Sequence, residues 1–206
     1  HTISLCDWSS DVCSSDLLGP SNELLIRGDT VFAGYYRNDE ATKAAIRDGW
    51  LHTGDVAEFA DGHFRIVDRL KDIMITAGGK NLSPSEIENT VKASPFIKEC
   101  IVIAEARKYV SALIQIDYDL AGKWAEEQGI AYTNFRNLTE NAGLRDLIQS
   151  EIDAANRQLA QVSQIRRFHL LTKELDHDDD EVTATMKVRR ANVQQKYSAE
   201  IEGLYT

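Results

Sequence analysis

The chain has 206 residues, enough for one domain or for a small domain with part of another. Its net charge of -10 disfavours nonspecific nucleic-acid binding, because a phosphate backbone would be repelled over most of the surface. No apolar run approaches the about 20 residues of a membrane-spanning helix, and Cys6, Cys13 and Cys100 match no metal or redox spacing. We therefore expect a cytoplasmic protein with reduced thiols, no metal site of its own and no nucleic-acid partner.

Residues 1–17 differ in composition from the rest of the chain. They are rich in Ser, Asp and Cys and show neither helix nor strand periodicity. Asp7–Leu17 reads DWSSDVCSSDL, which resembles the in-frame translation of a common short-read sequencing adapter. We interpret residues 1–17 as an adapter artefact and expect them to be disordered, which implies that the natural chain begins upstream of Leu18. A genuine polar N-terminal tail is the alternative.

Residues 18–68 are predicted to form mostly strands joined by tight turns, with one charged helix near Asp39–Arg47. Asp48-Gly49 and Asp61-Gly62 are the turn signals, and the second lies in a predicted hairpin. The predicted strands are Glu23–Arg27, Trp50–Asp55, Val56–Phe59 and His63–Val67.

Residues 72–206 are predicted to alternate strands and helices. One helix start is well marked, because Ser83 is a typical N-cap, Pro84 occupies the first helical position and Glu86 completes a capping box. The predicted strands are Asp72–Thr76, Ile97–Ala104, Val110–Ile116 and Phe168–Leu171; further helices are predicted at Leu120–Gln128, along an apolar stripe from Leu144 to Val162, and about Val193–Ile201. We expect an α+β protein in which a strand-rich part precedes a compact α+β domain, with the junction at 69–71.

Two segments near this junction carry candidate site residues. Asp55 follows Thr53-Gly54, and a carboxylate at such a turn can accept hydrogen bonds from both hydroxyls of a ribose. The same tripeptide is also a common plain turn. The charged run Asp68–Asp72 is either a solvated linker or, because of its place at the junction, part of the same site.

Two further segments offer groups for phosphate chemistry. Ala77-Gly78-Gly79-Lys80 allows close backbone approach by a ligand, although it lacks the Walker pattern and is alone only a turn. Lys187 stands in TATMKVRR, Thr183–Arg190, where the small flanking residues would let the loop enter a cleft. A lysine there is either surface charge or a group that stabilises the negative charge developing at a transferring phosphorus.

In order along the chain, these segments resemble the adenylate-forming superfamily of acyl-CoA synthetases, luciferases and adenylation domains. The resemblance runs from about Glu23 to Tyr205. The matching motifs are Ile26–Tyr36 (IRGDTVFAGYY), Gly49–Asp55 (GWLHTGD), Phe64–Lys71 (FRIVDRLK) and Thr76–Glu88 (TAGGKNLSPSEIE). The last motif, the segment TATMKVRR and the insertion between Asp117 and Gln164 are most similar to the long-chain fatty acyl-CoA synthetase branch.

The resemblance implies that residues 18–68 end the N-terminal AMP-binding domain and that 72–206 form its C-terminal lid domain. The implied reaction joins a fatty acid to CoA with ATP, through acyl-AMP and with release of pyrophosphate. The implied roles of the residues are nucleotide binding for Asp55 and Arg69, a hinge for Lys71 at 69–71, the CoA pantetheine tunnel for Gly78, Gly79 and Lys80, and catalysis of adenylation for Lys187.

Departures from the family pattern limit what is expected of this chain. Many relatives have Gly-Lys where Met186-Lys187 stands, and Ala184 replaces a usual proline. The phosphate loop, the acyl pocket and the Mg²⁺ ligand of the family are expected in an N-terminal domain upstream, which is the main expected partner. We therefore expect this chain alone to be inactive; contact with a membrane surface is compatible with a lipid substrate. A fatty acyl-AMP ligase or carrier-protein loader, and a noncatalytic binding module that keeps the fold, are the alternatives.

Overall fold

The structure is a computed structural model that describes residues 15–60 and 62–206. The chain divides into two compact units, the first ending at Ile73 and the second comprising Met74–Thr206. This division falls just beyond the predicted hinge at 69–71, whose hinge role stays a prediction. Most of the expected adapter segment, residues 1–14, lies outside the described residues.

The described residues of the first unit form a single antiparallel sheet with one short helix. Its strands are β1 (Ser15–Leu18), β2 (Glu23–Arg27), β3 (Ile46–Arg47), β4 (Trp50–Ala60) and β5 (His63–Arg69), and its helix is α1 (Asp39–Ala45). The strand order is β1-β2-β4-β3, with β5 also paired to β4. Because Ser15–Leu18 pairs with β2, the expectation of disorder is wrong for residues 15–17.

The second unit has a mixed three-stranded sheet, a two-stranded ribbon and six helices within the described residues. The ribbon pairs β6 (Met74–Ile75) with β7 (Asn81–Leu82), and the sheet has β8 (Ile97–Ile103), β9 (Val110–Ile116) and β10 (Ile165–Leu170). The helices are α2 (Pro84–Val91), α3 (Tyr118–Glu127), α4 (Phe135–Thr139), α5 (Ala142–Asn156), α6 (Arg190–Lys196) and α7 (Ser198–Gly203). The sheet order is β10-β9-β8, in which β10 is parallel to β9 and β8 is antiparallel to it.

The three-stranded sheet is buried on both faces, which accounts for the nearly continuous apolar sequences of β8 and β9. Every residue of β9 is buried. Val102, Ala112 and Ile114 pack on one face with α2, α3 and α5, while Ile101 and Leu113 pack on the other with Val193 of α6. The alternation of a strand therefore separates two layers of core within this unit.

The structure confirms the predicted α+β class and most of the elements, with differences at their ends. The N-cap bond of the predicted capping box forms, since the Ser83 hydroxyl accepts a hydrogen bond from the Glu86 N–H at 3.2 Å. The helix predicted along the apolar stripe is too long at its C-terminal end. α5 stops at Asn156, and Val162 lies in a short 3₁₀ turn with 51% exposure. The predicted strand Asp72–Thr76 is only β6, because a 3₁₀ turn occupies Leu70–Asp72. No helix within the described residues is both long and apolar enough to cross a bilayer.

Candidate functional site

Asp55 and Arg69 lie opposite each other on neighbouring strands of the first unit. Their Cα atoms are register partners of β4 and β5, and Arg69 Nε lies 2.9 Å from Asp55 Oδ1. The aspartate side chain is 27% exposed and that of the arginine 59%. Sequence reasoning placed both in one site, and within this unit the structure brings them into direct contact. Lys71 follows in the exposed 3₁₀ turn after β5.

The turn that carries Asp55 is fixed by a residue that sequence reasoning missed. Glu23, at the start of β2, is 9% exposed. One of its carboxylate oxygens accepts from the Gly54 N–H at 3.0 Å, and the other lies 2.9 Å from Nδ1 of His52. The Thr53 hydroxyl accepts from the Asp55 N–H at 3.0 Å. Because Gly54 has φ +70, a glycine is favoured at this bend.

Thr76–Lys80, here called the glycine loop, is a closed turn between β6 and β7. The Thr76 N–H donates to the Lys80 carbonyl at 3.0 Å, and the Lys80 N–H donates to the Thr76 hydroxyl at 3.2 Å. Gly79 has φ +73, where a side chain is strained. A Cβ at Gly78 would meet only the Thr76 hydroxyl, at 3.9 Å. The backbone at this position is therefore open to a ligand.

The glycine loop borders a surface cleft of about 370 Å³, here called the glycine cleft. Lys80, Lys108 and Arg166 line it together with Gly78. Within the part of the chain that the structure describes, none of these three cations lies within ion-pair distance of a carboxylate. Three unpaired positive groups around one cleft favour a ligand that carries negative charge. Sequence reasoning missed Lys108 and Arg166, which come from a loop and from the edge strand β10.

Lys187 lies on a short hairpin in the second unit. The hairpin, here called the lysine hairpin, comprises Val182–Val188 and begins with an antiparallel bridge between its two valines. Thr183 closes its turn by donating to the Lys187 carbonyl at 2.8 Å and accepting from the Lys187 N–H at 3.1 Å. Met186 has φ +59, the left-handed conformation, which a glycine would adopt without strain.

The lysine hairpin borders a second cleft, of about 430 Å³, here called the lysine cleft. Two ion pairs lie in its wall: Arg190 with Glu88 at 2.7 Å, and Lys92 with Glu99 at 2.9 Å. Lys187 itself is exposed, and its ammonium has no carboxylate within ion-pair distance among the residues described. One cation is therefore free to meet an anion.

Burial and neighbouring groups shift the pKa values of two acidic groups in the lysine cleft. Burial raises the pKa of Glu88 above its ordinary value, against the opposing effect of Arg190 and of the Val102 N–H. Burial also raises the pKa of the Cys100 thiol well above its ordinary value. Cys100 is therefore a packing group and not a nucleophile.

The two family loops of the second unit border different clefts. No residue that the structure describes lines both the glycine cleft and the lysine cleft. Among the described residues no cluster of His, Cys, Asp and Glu is suited to hold a metal ion. The geometry of this unit thus offers one anion site beside Lys187 and a separate, more basic one beside Gly78.

Comparison with known families identifies the second unit. The family model described as "AMP-binding enzyme C-terminal domain" matches residues 71–206. The chain belongs to this family. Among curated AMP-binding relatives, the long-chain-fatty-acid–CoA ligase FadD15 of Mycobacterium tuberculosis is 36% identical over 190 residues, which cover 91% of this chain and 32% of the relative. The peroxisomal long chain acyl-CoA synthetase 6 of Arabidopsis thaliana is 29% identical over 201 residues, covering 93% and 28%.

Solved structures show the same AMP-binding fold. The adenylation domain of a carboxylate reductase from Mycobacterium chelonae superposes with a TM-score of 0.69 at 24% identity, over 89% of this chain and 27% of that one. The chain spans about a third of the length of the curated relatives it matches. The resemblance to the adenylate-forming superfamily, and to its long-chain branch, is confirmed.

Proposed function

We propose that this chain is the C-terminal part of a long-chain fatty-acid–CoA ligase. Such a ligase forms acyl-AMP and pyrophosphate from a fatty acid and ATP, and then transfers the acyl group to CoA. The ligase names of the relatives and the family match support the proposal. The chain covers 32% of the length of FadD15, so we expect no ligase activity from it alone. Detection of acyl-CoA formed by this chain alone would contradict that expectation.

The free ammonium of Lys187 is the observation that carries the proposal. Its neighbours in sequence, Arg189 and Arg190, are neutralised by Asp180 and Glu88 at 2.7 Å each. Lys187 has no such partner among the described residues, and it borders an open cleft. When a carboxylate attacks the α-phosphorus of ATP, pyrophosphate leaves, and this ammonium stabilises the negative charge that builds up on the phosphoryl oxygens.

Asp55 and Arg69 are assigned to the nucleotide. The carboxylate of Asp55 accepts hydrogen bonds from the ribose hydroxyls, and Arg69, 2.9 Å away, holds that carboxylate in place and contacts the nucleotide. Lys71 is assigned to the hinge between the two half-reactions. Mg²⁺ accompanies ATP, and we assign its ligands to the part of the ligase that precedes this chain.

The glycine cleft is assigned to the second half-reaction. The open backbone at Gly78 and Gly79 allows the narrow pantetheine arm to pass, and Lys80 stands at its side. Lys108 and Arg166 add two unpaired cations, which suit the phosphates of CoA. We place the reaction in the cytoplasm, where the buried free thiol of Cys100 stays reduced. Contact with a membrane surface would serve only to deliver the fatty acid.

The proposal is tested by replacing Lys187 with alanine. The assay requires a full-length ligase that carries residues 18–206 as its C-terminal part. We expect Lys187→Ala to slow ATP–pyrophosphate exchange by a factor that corresponds to about 2–4 kcal/mol, typical of removing one such donor. Transfer to CoA from added acyl-AMP should be largely retained, because that step makes no bond to phosphorus.

Lys123→Ala is the matched control, since Lys123 lies exposed on α3 and lines neither cleft. It should leave both half-reactions at the unsubstituted rate. An unchanged exchange rate in Lys187→Ala would contradict the assignment and would favour a noncatalytic binding module. Transfer to a carrier protein in place of CoA would identify the carrier-loading alternative.

A further inference from the structure

A carboxylate beneath the lysine hairpin is completely buried. Glu181 has 0% exposure and precedes Val182, the first residue of the hairpin. A buried charge is costly unless every part of it is paired. Its presence one residue from the catalytic hairpin therefore needs an explanation beyond packing.

All the acceptor positions of Glu181 are occupied. One oxygen accepts from Lys173 Nζ at 2.7 Å and from the Asp176 N–H at 2.9 Å. The other accepts from the Tyr197 hydroxyl at 2.9 Å and lies 2.9 Å from Lys196 Nζ. The four donors come from two places, the segment after β10 and the C-terminal end of α6. The carboxylate thus ties together the two segments from which the hairpin projects.

The backbone of Glu181 also closes the base of the hairpin. Its N–H donates to the Asp176 carbonyl at 3.1 Å, and its carbonyl accepts from the Arg189 N–H at 2.8 Å. Beyond this pair lie only the Val182–Val188 bridge and the turn that carries Lys187. A tilt or shift of residue 181 is therefore transmitted to the lysine through this short hairpin, whose two valines also pack on the core.

A contribution to folding stability does not by itself explain why the Glu181 carboxylate is buried. Apolar side chains surround it, among them Leu175, Val182 and Val193. Replacing buried charges by apolar groups of similar size is often neutral or stabilising. A fully bonded carboxylate, by contrast, fixes the orientation of the segments that are bonded to it. An error of about 1 Å in the position of a reacting group costs on the order of 100-fold in rate.

We propose that Glu181 is a positioning residue for Lys187: its carboxylate, held by Lys173, Lys196 and Tyr197, fixes the lysine hairpin in the orientation that adenylation requires. The inference rests on the proposed function of Lys187. It assigns no contact between Glu181 and substrate, because Glu181 acts only through the hairpin.

The first test measures the hairpin in the 206-residue chain itself. Glu181→Gln keeps the shape of the side chain but removes the charge that binds both lysines. We expect the amides of Met186 and Lys187, which donate within the turn, to exchange with solvent about tenfold faster or more, reflecting local opening. Amides of the buried strand β9 should keep their protection. Faster exchange throughout β9 as well, or no change in the hairpin, would overturn the proposal.

The second test separates the two half-reactions in the full-length ligase. Glu181→Gln should slow adenylation by about 10- to 100-fold, while transfer to CoA from added acyl-AMP stays within about twofold of the parent. Loss of both half-reactions together would show a purely structural role and overturn the proposal. Glu174→Gln is the matched control, because it makes the same change on an exposed residue that pairs only with Lys98, at 3.0 Å.

Two further outcomes separate this inference from the proposed function. An unchanged adenylation rate in Lys187→Ala contradicts the proposed function and, with it, the inference. A slow Lys187→Ala beside a normal Glu181→Gln contradicts the inference alone. If Glu181→Gln does not fold, Tyr197→Phe takes its place, since it removes one of the four hydrogen bonds and keeps the ring. It should shift both readouts in the same direction by a smaller factor, and a normal adenylation rate in that variant overturns the proposal.

Discussion

The glycine loop and the turn of the lysine hairpin have the same backbone design. Each begins with Thr-Ala and ends with Lys, as Thr76–Lys80 and Thr183–Lys187. In each, the threonine N–H donates to the lysine carbonyl, at 3.0 and 2.8 Å, and the lysine N–H donates to the threonine hydroxyl, at 3.2 and 3.1 Å. The fourth residue is left-handed in both, with φ +73 and φ +59. The different roles proposed for the two turns therefore cannot come from their backbones.

The surroundings of the two turns differ in charge. Lys80 shares its cleft with Lys108 and Arg166, and none of them is neutralised by a described carboxylate. Lys187 stands above a cleft in which the other cations are already paired, such as Arg190 with Glu88. The first cleft suits a ligand with several phosphates, and the second suits one developing charge. The turn places a lysine at the edge of each cleft, and the charges of the neighbouring residues determine which ligand that lysine suits.

The largest effect is expected from removing Arg190, which anchors the lysine hairpin on its C-terminal side. Its guanidinium donates to Glu88 at 2.7 Å and to the Val102 carbonyl at 2.9 Å. Arg190→Ala leaves the largely buried Glu88 with only the Val102 N–H, so we expect a loss of about 2 kcal/mol in the free energy of unfolding. Denaturation of the 206-residue chain by urea measures it.

Arg189→Ala is the control for that experiment. The Arg189 side chain pairs with Asp180 at 2.7 Å, but the two side chains are 42% and 73% exposed. Screening by solvent limits such a pair to about 0–1 kcal/mol. Equal losses in the two variants would refute the view that Arg190 anchors the hairpin through a buried partner.

Acid should loosen the lysine hairpin. Burial pushes the pKa of Glu181 upward, but hydrogen bonds from Lys173, Lys196 and Tyr197 and from the backbone hold the pKa below its ordinary value of 4.5. A carboxyl with a lowered pKa stabilises the fold above its unfolded pKa and loses that contribution as the pH falls through its folded pKa. Protection of the hairpin amides should therefore fall below pH 4.5.

Comparison of the parent protein with Glu181→Gln separates the titration of this carboxyl from that of the neighbouring acidic groups. Asp179, which bonds the same two lysines, also has a lowered pKa, caused first by Lys173. Asp179 is present in both proteins, so the difference between them reports the ionisation of Glu181 together with its coupling to Asp179 through the shared lysines. NMR protection factors measured across the acid range should differ between the two proteins at neutral pH and converge at the acid end. A constant difference would show that Glu181 is not the titrating group.

The sequence was sufficient for those parts of the molecule that local pattern controls. The capped start of α2 at Ser83, the apolar strands β8 and β9, and the order of the family motifs were all predicted correctly. The family resemblance placed Asp55 and Arg69 in one site, and the hairpin of β4 and β5 brings the two side chains into contact, while their roles stay predictions. In each case a few neighbouring residues determine the result.

The supporting residues of the sites could not be predicted, because distant segments supply their partners. Glu181 is the end of an acidic run, DHDDDE, which by itself gives no sign of a buried carboxylate, yet its partners lie at the end of α6 and after β10. The contact of Glu23 with Gly54 and the position of Arg166 at the glycine cleft likewise depend on where β2 and β10 lie in the fold. The end of α5 at Asn156 was missed because the apolar stripe continues past it to Leu159, which lies beyond the helix but packs on the same core.

The smallest effects are expected from exchanging the left-handed residues of the two turns. Gly79→Met places a side chain at φ +73, where a Cβ meets nothing within 4 Å, so only backbone strain opposes it. We expect a loss of about 1 kcal/mol in the free energy of unfolding. Met186→Gly removes the same strain from the lysine hairpin but raises the conformational entropy of the unfolded chain. The free energy of unfolding should therefore change by no more than about 0.5 kcal/mol.

The exchange tests whether the two turns are equivalent, because each substitution puts into one turn the residue of the other. Urea denaturation of the two single variants and the double variant gives all three values. Gly79 and Met186 line no common cleft, so the two effects should add within about 0.5 kcal/mol. A loss in Met186→Gly as large as that in Gly79→Met would show that the Met186 side chain itself holds the lysine hairpin. The shared backbone would then be only a coincidence of geometry, and the difference between the turns would begin at their fourth residue.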